Sequence, residues 1–190
     1  MSTLGYALLT LLARMPASGY DLGRKLKEPI GFFWQARYNQ IYPELAHLEA
    51  RGLITHEVVA QVDRPNKKVY TITDAGHAAL RQWATQPPEE APARNELLLK
   101  AYAIWLADPA RAIQLFRAQA EQHACQQALY EQRLAAWEQQ PGWQIQTDLP
   151  SFGDYATLQR GAGYEREYAV WCRWMVEQLE QRLNQEQEHT

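Results

Sequence analysis

Leu4, Leu8, Leu11 and Leu12 fall at i, i+4, i+7 and i+8, one apolar stripe on a helix that the spacing predicts from about residue 3 to 14. Met15-Pro16-Ala17 breaks it. Ser18-Gly19-Tyr20-Asp21 then reads as an N-cap with an acid three positions on, opening a short helix that Pro29 and Gly31 close. The aromatic run Phe32-Phe33-Trp34 leads into a third helix, expected to turn Trp34, Tyr38, Ile41, Leu45 and Leu48 inward, with Gly52 as its C-terminal cap. Pro43 lies inside that stretch, so the helix either bends there or starts later. From Leu53 the period shortens to that of a strand. Residues 53–61 and 68–73 are rich in Val, Ile, Thr and Tyr, and 62–67 carries Pro and Asn turn chemistry, which predicts a β-hairpin with a basic tip. Thr73-Asp74 caps a fourth helix ending near Trp83. Three helices, a hairpin and a helix in this order make a winged helix-turn-helix over residues 1–85.

Residues 86–94, with Pro87, Pro88, Pro92 and the pair Glu89-Glu90, read as a linker. Beyond it, residues 95–190 are expected to be all helical. One helix spans about 96 to 106, and Asp108-Pro109 caps a much longer one with heptad spacing at Ile113, Phe116, Ala120, His123, Gln127, Tyr130, Leu134 and Trp137. Pro141-Gly142 ends it. A last helix, about 152 to 184, lines up Leu158, Ala162, Tyr168, Cys172, Met175, Leu179 and Leu183. Helices this long are stabilised mainly by packing an apolar face. Their aromatic residues spread over too wide an arc for a single neighbour, so the surplus is read as a homodimer interface carried by Tyr130, Trp137, Leu158, Tyr168, Trp171, Met175 and Leu179. The fold class is therefore mainly α with a small β-hairpin.

Composition narrows the class further. The chain has 190 residues, 46% of them apolar and 22% charged, the balance of an ordinary globular protein. Its longest apolar stretch, 6–13, falls well short of the ~20 residues a membrane span needs, and no signal-peptide pattern opens the chain, so no membrane association and a cytoplasmic location are expected. Cys125 and Cys172 have no metal or disulfide spacing, and the five histidines sit on separate predicted elements. Neither GxSxG nor a P-loop is present, so no catalytic residue, metal or cofactor is assigned. The net charge of -3 conceals an asymmetry: residues 1–85 hold ten Lys and Arg against seven Asp and Glu, and the acidic excess lies behind.

That front half has the chemistry of a DNA reader. With Ile41, Leu45 and Leu48 inward, Gln35, Asn39 and Gln40 face out, with Tyr42 at the edge. Amides at such positions suit the adenine edge in the major groove, and Arg37 at the flank suits a guanine or a phosphate. Arg64, Lys67 and Lys68 on the hairpin suit phosphates. In the second region His123 and Gln127, polar at heptad positions, either specify the pairing or line an effector cavity.

Several segments together resemble one family. Ser18-Gly19-Tyr20-Asp21, Ile41-Tyr42-Pro43-Glu44-Leu45, Leu48-Glu49 with Arg51-Gly52-Leu53-Ile54, and Lys68-Val69-Tyr70-Thr71-Ile72-Thr73-Asp74-Ala75-Gly76 are similar to the PadR family of bacterial transcriptional regulators. Ile30-Gly31-Phe32-Phe33-Trp34 and the long helical tail resemble its AphA-like branch. The resemblance implies a homodimer on an inverted-repeat operator, usually a repressor, in some relatives released by small aromatic effectors. Tyr38-Asn39-Gln40 departs from the commoner pattern of small residues there, so the operator sequence does not carry over. Two other classes stand beside this reading: a winged-helix protein-interaction module without DNA activity, and an enzyme, which the lack of strand-helix alternation after residue 85 argues against.

Overall fold

A computed structural model describes residues 1–26, 38–60, 66–88 and 95–188. The chain divides into two compact units, Met1–Glu90 and Ala91–Thr190. No helix among the described residues is long and apolar enough to cross a membrane.

The first unit begins with α1 (Thr3–Leu12), whose N-cap Ser2 accepts the Gly5 N–H at 3.0 Å. Ala17–Ser18 form a two-residue strand, β1, that leads directly into α2 (Gly19–Lys25). Ser18 is the N-cap expected there, accepting the Asp21 N–H at 3.2 Å. The described part of α3 runs Tyr38–Ala50 and contains Pro43; Phe32, Phe33 and Trp34 lie outside the described residues. Its C-terminus is a Schellman motif: Gly52 takes φ +69°, its N–H donates to Glu49 O at 2.8 Å, and the Leu53 N–H donates to Leu48 O at 3.0 Å. Leu48 and Leu53 both belong to the core, which supplies the hydrophobic contact of that motif.

Strands β2 (Ile54–Val59) and β3 (Lys67–Ile72) pair antiparallel from Ile54↔Ile72 to Val59↔Lys67, and β1 adds to the other edge of β3 through Ala17↔Tyr70 and Ser18↔Val69. Lys67, expected in the turn, is thus a strand residue. Leu8, Leu9 and Leu12 of α1 meet Leu22 and Leu26, then Ile41, Leu45 and Leu48 of α3 and Ile54 of β2, in one buried cluster. Burying each such side chain contributes about 1.5–3 kcal/mol.

Thr73 joins the end of α3 to α4 (Asp74–Trp83). Its hydroxyl donates to Gly52 O at 2.7 Å and accepts the Gly76 N–H at 3.1 Å. A Cβ on Gly76 would collide with the Leu53 carbonyl oxygen, which itself accepts the Thr73 N–H at 3.0 Å. Because the obstacle is backbone, Gly76→Ala is expected to lower stability by about 1–3 kcal/mol. An unchanged urea midpoint would show that α4 lifts freely from the sheet.

In the second unit, Asn95 caps α5 (Glu96–Tyr102). The expected single helix to residue 106 is interrupted: Ala103 leaves helical geometry at φ -96°, ψ 10°, and a 3₁₀ turn (Ile104–Leu106) follows. Asp108 then accepts the Arg111 N–H at 2.8 Å and Pro109 opens α6 (Pro109–Glu138), the cap and first position read from the sequence. Helix α7 (Pro150–Glu188) starts two residues before the expected point, since Pro150 lacks only an N–H that the first turn leaves unbonded anyway. The two long helices pack against each other as an antiparallel hairpin.

Candidate nucleic-acid interface

Helix α3 keeps Ile41, Leu45 and Leu48 inside the first unit and leaves Tyr38, Asn39, Gln40, Tyr42 and Pro43 exposed. Two small residues on α2 seat it. A Cβ on Gly19 would come within 2.6 Å of the Tyr42 ring, and one on Gly23 would clash with the edge of the Tyr38 ring. Tyrosines one turn apart on α3 therefore lie across glycines one turn apart on α2. Tyr42 is 54% exposed yet anchored by this contact.

The exposed face of α3 separates into two grooves. Asn39, Gln40 and Pro43 line one of about 560 Å³ with Ser2, Thr3 and Leu4 at the start of α1. Glu44 closes its floor, one carboxylate oxygen buried without a hydrogen-bond partner among the described residues. Pro43 has no N–H to offer the Asn39 carbonyl, which leaves that acceptor on the same side as the amides. Tyr42 lines the other groove, a cleft of about 760 Å³ between α2, α3 and β3, with Tyr20, Asn66, Lys67, Lys68 and Tyr70. The residues expected on one surface thus flank α3 on two sides. Gln35, Arg37 and Arg64 lie outside the described residues.

The two wing lysines differ. Lys68 is exposed, whereas Lys67 donates to Asp21 Oδ2 at 3.0 Å. Hydrogen bonds from Ser18 and then from Lys67 hold the Asp21 carboxyl below the ordinary carboxylate range. This pair therefore remains at full strength above the carboxyl's ordinary value and is lost as pH falls through the lowered one. Near the other end of the hairpin, His56 of β2 is held against Glu49 of α3, and its ring lies 5.6 Å from that of Tyr70. Burial, then the Glu49 charge, push the Tyr70 hydroxyl above its usual pKa. Nothing in the spacing of Asp21, Glu49 and His56 advertised these links.

In the second unit the residues assigned to a dimer surface turn out to be covered by their own chain. Tyr130, Leu158, Met175 and Leu179 are buried between α6 and α7, Trp137 and Trp171 are half-buried against the same cores, and Tyr168 is half-buried beside Trp171. The antiparallel hairpin covers these apolar stripes only in part, leaving Trp137, Tyr168 and Trp171 half-exposed. Uncovered apolar surface is concentrated on α5 and the 3₁₀ turn, at Leu98, Leu99, Leu106, Tyr102 (86% exposed) and Trp105 (70% exposed), with Tyr164, Val170 and Trp174 exposed on α7 and Leu129, Ile145 and Leu149 elsewhere in the unit. The run Leu97-Leu98-Leu99 followed by Tyr102 and Trp105, more apolar residues than one buried face of so short a helix can hold, was the available sign.

The hairpin holds two apolar clusters, one around Phe116 and Cys172 and one around Tyr130 and Leu158. Between them lies a polar layer. His123 is paired with Glu165, and its ring lies tilted against that of Tyr168 at 4.8 Å; the Tyr168 hydroxyl accepts from Asn95, and Arg166 donates to Glu131 at 2.7 Å. Burial raises the Tyr164 hydroxyl to about 12, aided by its hydrogen bond with Tyr168. Gln127 joins the layer through Glu131 at 2.9 Å. No group of His, Cys, Asp or Glu among the described residues is arranged to hold a metal ion.

Residues 8–82 match the model of the transcriptional regulator PadR-like family, and residues 93–180 match that of the virulence activator alpha C-terminal region. The negative transcriptional regulator PadR of Bacillus subtilis is 36% identical over 177 residues, covering 90% of this chain and 94% of that one. The chain belongs to the PadR-like family of transcriptional regulators. The resemblance seen in the Ser18–Asp21 and Lys68–Gly76 segments is therefore a real relationship, and PadR-like proteins are regulators, not enzymes. The crystal structure of B. subtilis PadR in complex with operator DNA superposes with a TM-score of 0.83 at 31% identity, covering 94% of this chain and 99% of that one. The same protein in complex with p-coumaric acid gives 0.75 at 30% identity, covering 93% and 95%. The virulence activator AphA of Vibrio cholerae gives 0.69 at 25% identity, covering 95% and 99%, so the PadR-like fold extends over both units.

Proposed function

We propose that this PadR-like chain is a cytoplasmic homodimeric repressor that binds an inverted-repeat operator through α3 and the wing. The observation that carries the reading is the exposed polar face of α3 beside a basic hairpin, on a fold shared with a relative whose structure contains operator DNA. Residues 1–85 bind the DNA, 86–94 link, and 95–190 dimerise. Asn39 and Gln40, with Gln35, read base edges in the major groove, Tyr42 flanks them, and Arg37, Arg64 and Lys68 hold phosphates. Two copies meet through the exposed apolar face of α5 and the 3₁₀ turn, since contiguous uncovered Leu, Tyr and Trp mark an interface. A small aromatic acid is the inducer, as the p-coumaric acid complex of the B. subtilis relative suggests.

Three measurements test the dimer, the operator and the inducer. The chain is expected to run as a dimer in light scattering at micromolar concentration. It should shift a duplex from upstream of its own gene at concentrations that leave a scrambled duplex free, and p-coumaric acid should release it. Equal affinity for the two duplexes would remove the operator reading. A monomer would remove the dimer, and indifference to p-coumaric acid would remove phenolic induction alone.

A further inference from the structure

The strongest feature not absorbed by this reading is the link between Lys67 and Asp21, 46 positions apart. Strand β1 ends at the Ser18↔Val69 pair, where the chain turns into α2. Lys67, two positions before Val69 on β3, reaches the first turn of that helix. There Asp21 Oδ2 accepts the Ser18 hydroxyl at 2.6 Å and the Lys67 ammonium at 3.0 Å. Both side chains are half-buried, 38% and 28% exposed. A phosphate could take Lys67 only by stripping a charge-assisted bond from a carboxylate that also organises the start of α2. Lys68, next on the strand, is exposed in the same cleft.

We propose that Asp21 is a positioning residue that sets specificity by withholding Lys67 from the DNA backbone. The ion pair fixes the wing against α2, beside the recognition helix, and removes one cation per protomer from sequence-independent attraction. Discrimination then rests on the groups of α3, while Lys68 supplies the phosphate contact on this strand. This rests on the operator-binding reading and assigns a role within the same surface.

The test is the dependence of affinity on salt, measured by fluorescence anisotropy with the upstream duplex and a scrambled one. Each phosphate contact contributes about 0.9 to the slope of log K against log salt. Lys67→Met is expected to leave the slope unchanged and to lower the ratio of operator to scrambled affinity several-fold, because the wing loosens. Asp21→Asn is expected to steepen the slope by about 0.9 per protomer and to raise scrambled-duplex affinity, because Lys67 is released. A Lys67→Met slope flattened by that amount would overturn the proposal, and so would an Asp21→Asn slope equal to that of the unmutated chain. Should Asp21→Asn fail to fold through loss of its contact with Ser18, the Lys67→Met slope decides alone. An unmutated chain that binds neither duplex sinks the operator reading and this inference with it. Operator preference in the unmutated chain with the wrong variant slopes sinks only the inference.

Discussion

Phe116→Ala is expected to cost about 3–5 kcal/mol of unfolding free energy, the largest single-residue effect in the second unit. Phe116 is 0% exposed, meets Trp171 edge-on with ring centroids 5.6 Å apart, and sits among Ile113, Ala120, Cys172 and Met175. The cost combines lost transfer free energy with the cavity left behind. Two long helices joined only at one end close such a gap poorly without shifting along their whole length. Denaturant melts read at the near-ultraviolet tryptophan signal would check it. A loss below ~1 kcal/mol would mean that the hairpin collapses around the gap and that Trp171 anchors the cluster. Since the proposed dimer face is built on α5, whose Leu97 and Ala101 pack on this cluster, operator binding should weaken along with stability.

Replacing Asn39 and Gln40 by Ala should reduce operator affinity by about 1–3 kcal/mol for each base pair read, counted in both protomers. A loss of 1.4 kcal/mol is tenfold, so the doubly substituted dimer should fall by at least two orders of magnitude on its operator. Both residues are neutral, exposed and on the α1 side of α3, so scrambled-duplex affinity and the salt slope should hardly move. Competition binding against scrambled duplex gives the comparison directly. An equal loss on both duplexes would mean that these amides touch the backbone, and base reading would then fall to the Tyr42 side of the helix.

Much of the fold was legible because it is specified locally. Ser18, Thr73 and Asp108 cap the helices they were expected to cap, and Gly52 ends α3 with a positive φ that L residues avoid. Such signals need only three or four consecutive residues. Strand β1 was not legible, since two residues cannot show alternation and Ala17-Ser18 is recruited by the edge of β3. The burial of residues expected at a dimer surface has a related cause. Periodicity reports that Tyr130, Leu158 and Met175 must be buried, but it does not report whether the covering surface is the same chain or another. The ion partners of Lys67 and His56 come from distant segments, and no local pattern encodes them.

The polar layer at His123 and Glu165 has a mechanical consequence for the hairpin. Two helices lined by apolar rows can slide past one another by a turn, about 5.4 Å, with most rows still facing apolar rows. Such a slide would part His123 from Glu165 and Arg166 from Glu131 in one movement. His123 and Glu165, both half-buried, would each lose a hydrogen-bond partner, which disfavours the slide. The layer is therefore a detent. It leaves the hairpin one axial setting, so that whatever docks on its outer face meets the same spacing every time.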